Sequence, residues 1–129
     1  MAESATLKFT ATGGLTASGE KTYTGDERVT QSFTVADSVT DQQRTLNIDI
    51  TEMQMVYIVS DQDILMEWND GAGAQGSISL KAGVAFIELV AADQYHVALM
   101  SVDVTDLYFT NSSGSTATIQ IVVIQNNTP

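Results

Sequence analysis

The sequence predicts an all-β protein: a single-domain antiparallel β-sandwich, with jelly-roll-like connectivity preferred over immunoglobulin-like connectivity. Apolar residues alternate with polar ones along most of the chain, and Gly, Asn, Asp and Ser cluster between the alternating segments. These segments recur about every eight to twelve residues, a spacing typical of sandwiches rather than of βαβ folds. A period of two puts every second side chain on one face, so each segment is predicted to bury one face in a core.

The clearest alternation occurs in six segments that we interpret as strands with one buried face. Their inward-facing residues are Leu7 and Phe9; Val29, Phe33 and Val35; Leu46, Ile48 and Ile50; Ile64, Met66 and Trp68; Ile78 and Leu80; and Ala117, Ile119, Ile121 and Val123. Two further segments, 56–59 and 121–124, are continuously apolar. Such a run is typical of a central strand, so we expect both of its faces to be covered.

The connections between the strands carry turn-forming residues. Residues 112–114, Ser-Ser-Gly, separate the strand-like segments 107–111 and 115–124, which predicts a hairpin. Residues 61–63 are interpreted as a tight turn between two buried strands. Segment 88–100 is ambiguous: we predict strand, loop and strand, with a short helix as the alternative.

The N-terminal part differs in composition from the rest of the predicted domain, which spans 1–129. Residues 11–28 are polar and rich in Gly and Thr, with few apolar residues. We expect residues 1–28 to form a looser arm or a long hairpin. The N-terminal strand 6–12 and the C-terminal strand 116–125 are predicted edges or arms, and such strands can pair with a partner.

The composition excludes several classes of function. Five Lys and Arg residues oppose sixteen Asp and Glu residues, which gives a net charge of −11. This charge repels nucleic acid and anionic membranes, so neither is expected as a partner. The 129 residues include no cysteine, which excludes zinc–thiolate sites and a cysteine nucleophile. The N-terminal residues lack the pattern of a signal peptide, so we expect assembly inside a cell.

Two features suggest a cofactor or a metal at first sight, but both have simpler interpretations. Residues 71–76 match the pattern G-x-G-x-x-G, but a strand follows them where the dinucleotide fingerprint needs a helix, so an inter-strand loop is predicted. His96 is the only histidine, which excludes a multi-histidine zinc site. We interpret His96 as a partly buried or interface residue that can titrate near neutral pH and tune an assembly contact.

Several carboxylates lie close together in the sequence: Asp61, Asp63, Glu67 and Asp70, and separately Asp103 and Asp106. Paired carboxylates can hydrolyse glycosides and clusters can bind Ca²⁺, but no ordered ligand loop and no cleft-forming insertion accompany them. Trp68 shares the face of Ile64 and Met66, so a core position is preferred over a sugar-stacking platform. We therefore predict no catalytic residue, no cofactor, no metal ligand and no enzymatic activity.

Four segments carry a resemblance to a known group of proteins: 56–63 (VYIVSDQD), 79–84 (SLKAGV), 104–111 (VTDLYFTN) and 115–121 (STATIQI). Through them the chain resembles, from Met55 onward, the small β-sandwich virion proteins of tailed bacteriophages, of the head decoration or cement type. The resemblance implies a structural protein that binds the major capsid protein shell and stabilises it, without enzymatic activity. It also implies assembly in the host bacterial cytoplasm, residence in the virion and a homo-oligomer, with a trimer favoured.

The residues themselves are compatible with this expectation. An acidic, cysteine-free sandwich rich in Thr, Ser and Asn suits a shell component, because many repeated sites add up to high avidity. Two alternatives stay open: a tail, fibre or neck module of a virion, and a carbohydrate-binding or adhesion module.

Overall fold

The computed structural model describes residues 2–11, 13–14, 17–70 and 74–126. In these ranges the chain forms ten β-strands and one short 3₁₀ turn at Ala91–Asp93. None of the described residues belongs to a helix with the length and apolarity needed to cross a bilayer. The strands are β1 (Glu3–Ala11), β2 (Ala17–Gly25), β3 (Glu27–Val35), β4 (Gln42–Ile48), β5 (Met53–Ser60), β6 (Ile64–Trp68), β7 (Gly76–Leu80), β8 (Phe86–Leu89), β9 (Val104–Thr110) and β10 (Ala117–Gln125).

Eight of the strands form two antiparallel sheets that pack face to face. The first sheet has the order β3-β10-β5-β8 and the second has the order β4-β9-β6-β7. The core between them contains large side chains that are almost completely buried, among them Leu46, Ile48, Ile58, Met66, Trp68, Leu107, Phe109, Ile119 and Ile121. The predicted all-β antiparallel sandwich is confirmed.

Burial along these strands follows the predicted period of two. β6 buries Ile64, Met66 and Trp68 and leaves Leu65 and Glu67 half-buried on its other face. Branched and aromatic side chains at alternate positions suit a pleated surface that is covered on one side. Each large apolar side chain buried in this way stabilises the fold by about 1.5–3 kcal/mol.

The N-terminal residues form a hairpin that covers the outer face of the first sheet. β1 and β2 pair with each other from Glu3 opposite Gly25 to Ala11 opposite Ala17. Leu7 and Tyr23 of the hairpin are packed with Met55 of β5 and Ile124 of β10 in a second, smaller apolar cluster. The inward side chains of the same two central strands lie in the main core. The predicted covering of both faces of β5 and β10 is therefore confirmed.

The predicted hairpin between segments 107–111 and 115–124 is wrong, because β9 lies in the second sheet and β10 in the first. Asn111 stabilises the crossover: its buried side-chain Nδ2 donates hydrogen bonds to the carbonyls of Val35 at 2.9 Å and Ser115 at 2.8 Å. A short crossover uses the same turn residues as a hairpin, so the local pattern does not distinguish the two.

Two further expectations are wrong, the first about a strand edge and the second about the presence of a strand. Segment 116–125 is not an edge, because β10 pairs with β3 on one side and β5 on the other. Segment 88–100 lacks the predicted second strand, and its only helical residues are the short 3₁₀ turn. After β8, the backbone N–H groups of Leu99 and Met100 donate to the side chain of Glu88 rather than to a neighbouring strand. Side-chain acceptors of this kind compete with a sheet ladder for the backbone.

Candidate interaction surface

The connection between β8 and β9, residues 90–103, presents apolar side chains to solvent, and we call it the apolar loop. Tyr95 is 98% exposed and Val97 93% exposed, and Leu99 and Val102 are also exposed. Two other described large hydrophobic residues, Phe9 and Val84, are exposed elsewhere. Clustered apolar exposure on one loop is unusual for a protein that has no partner, because exposing an apolar side chain to water is unfavourable.

A buried carboxylate holds the apolar loop in place. Glu88 is 4% exposed, and its Oε1 accepts hydrogen bonds from the backbone N–H groups of Leu99 at 2.7 Å and Met100 at 3.2 Å. Its Oε2 accepts a hydrogen bond from Nε2 of Gln94 at 2.6 Å. Three charge-assisted hydrogen bonds satisfy the buried charge and tie both ends of segment 94–100 to β8.

The core provides the second attachment of the apolar loop. The Met100 side chain is almost completely buried and belongs to the main core, next to exposed Leu99. Beneath the loop lies an open cavity of about 590 Å³ whose apolar lining includes Ile50, Met53 and Tyr95. The apolar loop is therefore attached at Glu88 and at Met100, and it presents its exposed residues from these two attachments.

A second open cavity of about 370 Å³ lies between β7 and β8, and we call it the edge groove. Its lining includes Ile78 and Leu80 from β7, Val84 and Phe86 from the following connection and β8, and Leu99 from the apolar loop. The groove is predominantly apolar, and it lies between the edge strands of the two sheets, β8 of the first and β7 of the second. The two cavities thus flank the apolar loop on either side.

The base of the apolar loop also contacts the N-terminal hairpin. Nζ of Lys21 lies 3.7 Å from a carboxylate oxygen of Asp93. Burial raises the pKa of the Tyr23 hydroxyl, and the hydrogen bond and negative charge of Asp93 raise it further. Since Tyr23 then stays neutral well above physiological pH, its hydroxyl is available as a donor to Asp93.

His96 is exposed on the apolar loop, so the expectation of partial burial is wrong. Residues 95–97 all face solvent because the loop leaves the sheet, and the alternation of a strand no longer applies there. The expectation that His96 lies in an assembly contact stays a prediction.

The carboxylates singled out in the sequence serve as acceptors within the fold. Asp61 accepts the N–H of Thr118 at 2.7 Å and Asp63 accepts the N–H of Ala82 at 2.8 Å. Residues 61–63 form the short connection between β5 and β6, in agreement with the predicted turn between two strands. Within the described ranges, no three His, Cys, Asp or Glu side chains form a group able to hold a metal ion.

Asp103 and Asp106 likewise accept hydrogen bonds from different residues. Asp103 accepts the N–H of Ile50 at 2.9 Å. Asp106 accepts Nε2 of Gln43 at 2.9 Å and the Thr45 hydroxyl at 3.3 Å. The two carboxylates thus connect β9 and its preceding residue to separate segments.

Trp68 is a core residue, as predicted, with 2% of its surface exposed. Its ring covers Gly76 on the neighbouring strand, so it is not accessible for stacking on a sugar. Gly76, the last glycine of the segment 71–76, is the first residue of β7, whereas residues 71–73 lie outside the described residues. The strand that follows this segment is the one predicted from Ile78 and Leu80.

Sequence reasoning missed the apolar loop because Tyr95, Val97 and Leu99 alternate as they would in a strand. One signal was present: Glu88 falls two residues after Phe86, on the inward face of β8. A charged residue at an inward position needs partners, and backbone N–H groups that are absent from a ladder can supply them.

Chemically, this surface combines an exposed aromatic ring, aliphatic side chains and two apolar cavities. These features suit contact with another protein, in which apolar and aromatic side chains contribute most of the binding free energy. Comparison of the chain with protein-family models, with curated proteins and with solved structures finds no match.

Proposed function

We propose that the protein is a structural component of a bacteriophage virion, a capsid decoration or cement protein that binds the major capsid protein shell and stabilises it. The observation that carries the proposal is the apolar loop, which exposes Tyr95 and Val97 from a base held by Glu88. A surface of this kind binds without any chemical step. The resemblance of the chain from Met55 onward to head decoration proteins suggests the partner.

The free energy of such a contact is compatible with decoration. Covering a fully exposed Tyr or Val side chain contributes about 25 cal/mol for each Å² of apolar surface removed from water. One loop therefore gives modest affinity, since association costs several kcal/mol in lost freedom of motion. Repetition over a shell offsets this cost when linked copies bind neighbouring sites, which supports a homo-oligomer with a trimer favoured.

The strand order supports jelly-roll connectivity over the immunoglobulin-like alternative. From β3 to β10, consecutive strands change sheet at every connection except the one between the neighbours β6 and β7. Immunoglobulin-like sandwiches place several consecutive pairs within one sheet. A jelly roll brings its inter-sheet connections to the two ends of the sandwich, and the apolar loop is one of these connections.

The direct test mixes purified protein with capsids that lack it and images the particles by cryo-electron microscopy. We expect density at regular positions on the shell, with residues 95–97 at the contact. The variant Tyr95→Ser is expected to lose occupancy, whereas Tyr108→Ser, on the outer face of the second sheet, is expected to bind normally. Normal binding by the Tyr95 variant would reject the apolar loop as the contact.

Stoichiometry separates this proposal from a tail, fibre or neck module. A decoration protein occupies repeated shell positions, so its copy number in purified virions is comparable to that of the major capsid protein. A copy number near that of the tail or neck proteins would favour the alternative. Trp68 does not favour a carbohydrate-binding module, because its ring is buried.

A further inference from the structure

The edge strands on the two sides of the sandwich, β3 with β4 and β7 with β8, differ in how they are covered. At one side, β4 side chains bridge to β3: Nε2 of Gln42 donates to the Thr34 carbonyl at 3.1 Å, and Nε of Arg44 donates to Oε1 of Gln31 at 2.8 Å. The Arg44 guanidinium also lies 4.4 Å from the centre of the Phe33 ring. These contacts cover the edges of β3 and β4.

The opposite side is open. In the described sheets, β7 pairs only with β6 and β8 pairs only with β5, so each has one free backbone edge. Between the two edges lies the edge groove, with Val84 61% exposed at its rim. An apolar groove beside free strand edges is suited to accept an extended segment, which can add backbone hydrogen bonds to apolar contacts.

The distal half of the N-terminal hairpin is only partly covered by its own chain, where Phe9 lines an open cavity with Tyr57 and Ile87. The proximal half is attached, since Leu7 is buried and Nη1 of Arg28 donates to the Ser4 carbonyl at 2.7 Å. In the distal half, residues 8–11 and 18–20 are all exposed, including Phe9 at 58%. A two-stranded hairpin is marginally stable by itself in water, and an exposed Phe adds to the cost.

The distribution of charge favours contact between copies through this hairpin. The hairpin, residues 3–25, is neutral, because Lys8 and Lys21 balance Glu3 and Glu20, so the rest of the chain carries the whole net charge of −11. Two acidic bodies repel each other, whereas a neutral hairpin adds no net repulsion when it approaches an acidic body. The exposed residues 8–11 span about 13 Å of strand, and this is the length of β1 that the hairpin can offer to a neighbouring copy.

We propose that the distal half of the hairpin of one copy docks in the edge groove of a second copy, with Phe9 packed against Val84, Ile78 and Leu99. The contact joins two different patches, so repeating it around an axis closes a ring when the rotation between copies divides a full turn, and three copies in such a ring would match the favoured trimer. The proposal does not depend on capsid binding, because the contact forms between copies of this chain alone.

Sedimentation equilibrium of the purified full-length protein tests the proposal. We expect concentration-dependent self-association of the wild type. Phe9→Ser on the hairpin and Val84→Ser in the groove are each expected to raise the dissociation constant by roughly tenfold or more, as loss of an anchoring side chain does. Val102→Ser, an exposed apolar residue outside the groove lining, is the matched control and is expected to leave it unchanged. A wild type that stays monomeric up to millimolar concentration would overturn the proposal, as would equal weakening by the control.

Disulfide trapping identifies the two surfaces independently of affinity. Because the chain has no cysteine, Phe9→Cys and Val84→Cys each carry a single thiol, and only a bond between copies can form. Mixed and oxidised, the two variants, distinguished by a size tag, are expected to give a cross-linked heterodimer in much higher yield than Phe9→Cys mixed with Val102→Cys. Equal yields in the two mixtures would show that Phe9 does not select the groove.

Discussion

Trp68 on β6 lies directly opposite Gly76 on β7, and its indole ring fills the space that a side chain at position 76 would occupy. A Cβ atom added to Gly76 would overlap ring atoms of the indole. The ring is buried and belongs to the main core, so it has little room to move aside. The glycine is thus required by close packing of an aromatic ring across two strands.

Gly76→Ala is therefore expected to destabilise the protein by about 1–3 kcal/mol, the usual cost of overpacking a core. The measurement is the free energy of unfolding in urea, followed by circular dichroism. Gly19→Ala is the matched control, because nothing lies within 4 Å of a Cβ at that position. Equal stability of the Gly76 variant and the wild type would mean that the Trp68 ring can shift without cost.

The Glu88 carboxylate governs the order of the apolar loop. Glu88→Ala removes the acceptor of the Leu99 and Met100 N–H groups, and leaving the buried donor of Met100 unsatisfied costs about 1–3 kcal/mol. We expect these two amides to exchange with deuterium faster in the variant, as read by NMR. Glu88→Gln keeps an acceptor oxygen and is expected to retain more of the protection. Unchanged exchange in Glu88→Ala would show that the loop is held by Met100 alone.

The parts of the fold that could be predicted are those set by local alternation. Ile64, Met66 and Trp68 identify β6 and its buried face, because a period of two leaves one face for the core. The pairing of strands depends on contacts distant in sequence, so the local pattern around Asn111 predicts a hairpin where the chain in fact crosses between the sheets. The Asn111 side chain selects the crossover by binding Val35, 76 residues away along the chain.

The candidate surface was less predictable for the same reason. The pattern of Tyr95, Val97 and Leu99 is that of a strand, and only the hydrogen bonds to Glu88 withdraw this segment from a sheet. The sequence predicts a looser arm or a long hairpin at the N-terminus, but the position of the hairpin on the outer face of β5 and β10 depends on the contact of Leu7 and Tyr23 with residues far along the chain.

Asn111 is expected to be among the most sensitive polar positions. Its side chain is fully buried, donates to two carbonyls and accepts the N–H of Ser113 at 3.0 Å. Asn111→Ala leaves these groups unsatisfied and should lower the free energy of unfolding by about 2–4 kcal/mol. Asn47→Ala, at an exposed position of β4, is the control and is expected to change it by less than about 0.5 kcal/mol. Similar losses in both variants would contradict a specific role for the crossover.

The free energy of unfolding is expected to depend on pH through the ionisation of Glu67. Burial raises the pKa of Glu67 above its ordinary value, and the charge and hydrogen bond of Asp41 and the charge of Asp70 raise it further. Folding therefore disfavours the ionised form, so ionised Glu67 destabilises the protein at neutral pH. This penalty decreases as the pH falls through the raised pKa, and it vanishes below the ordinary Glu pKa of about 4.3.

Glu67→Gln removes the ionisable group and should therefore raise the urea midpoint at neutral pH but not at about pH 3, where both side chains are neutral. The comparison requires complete urea titrations of the wild type and the variant at both pH values. Glu20→Gln, which removes one carboxylate from the exposed hairpin, controls for the change in net charge, because an exposed pair such as Lys8–Glu20 contributes little. A stabilisation of the Glu67 variant that is equally large at both pH values would show that repulsion from Asp41 and Asp70 is not its cause.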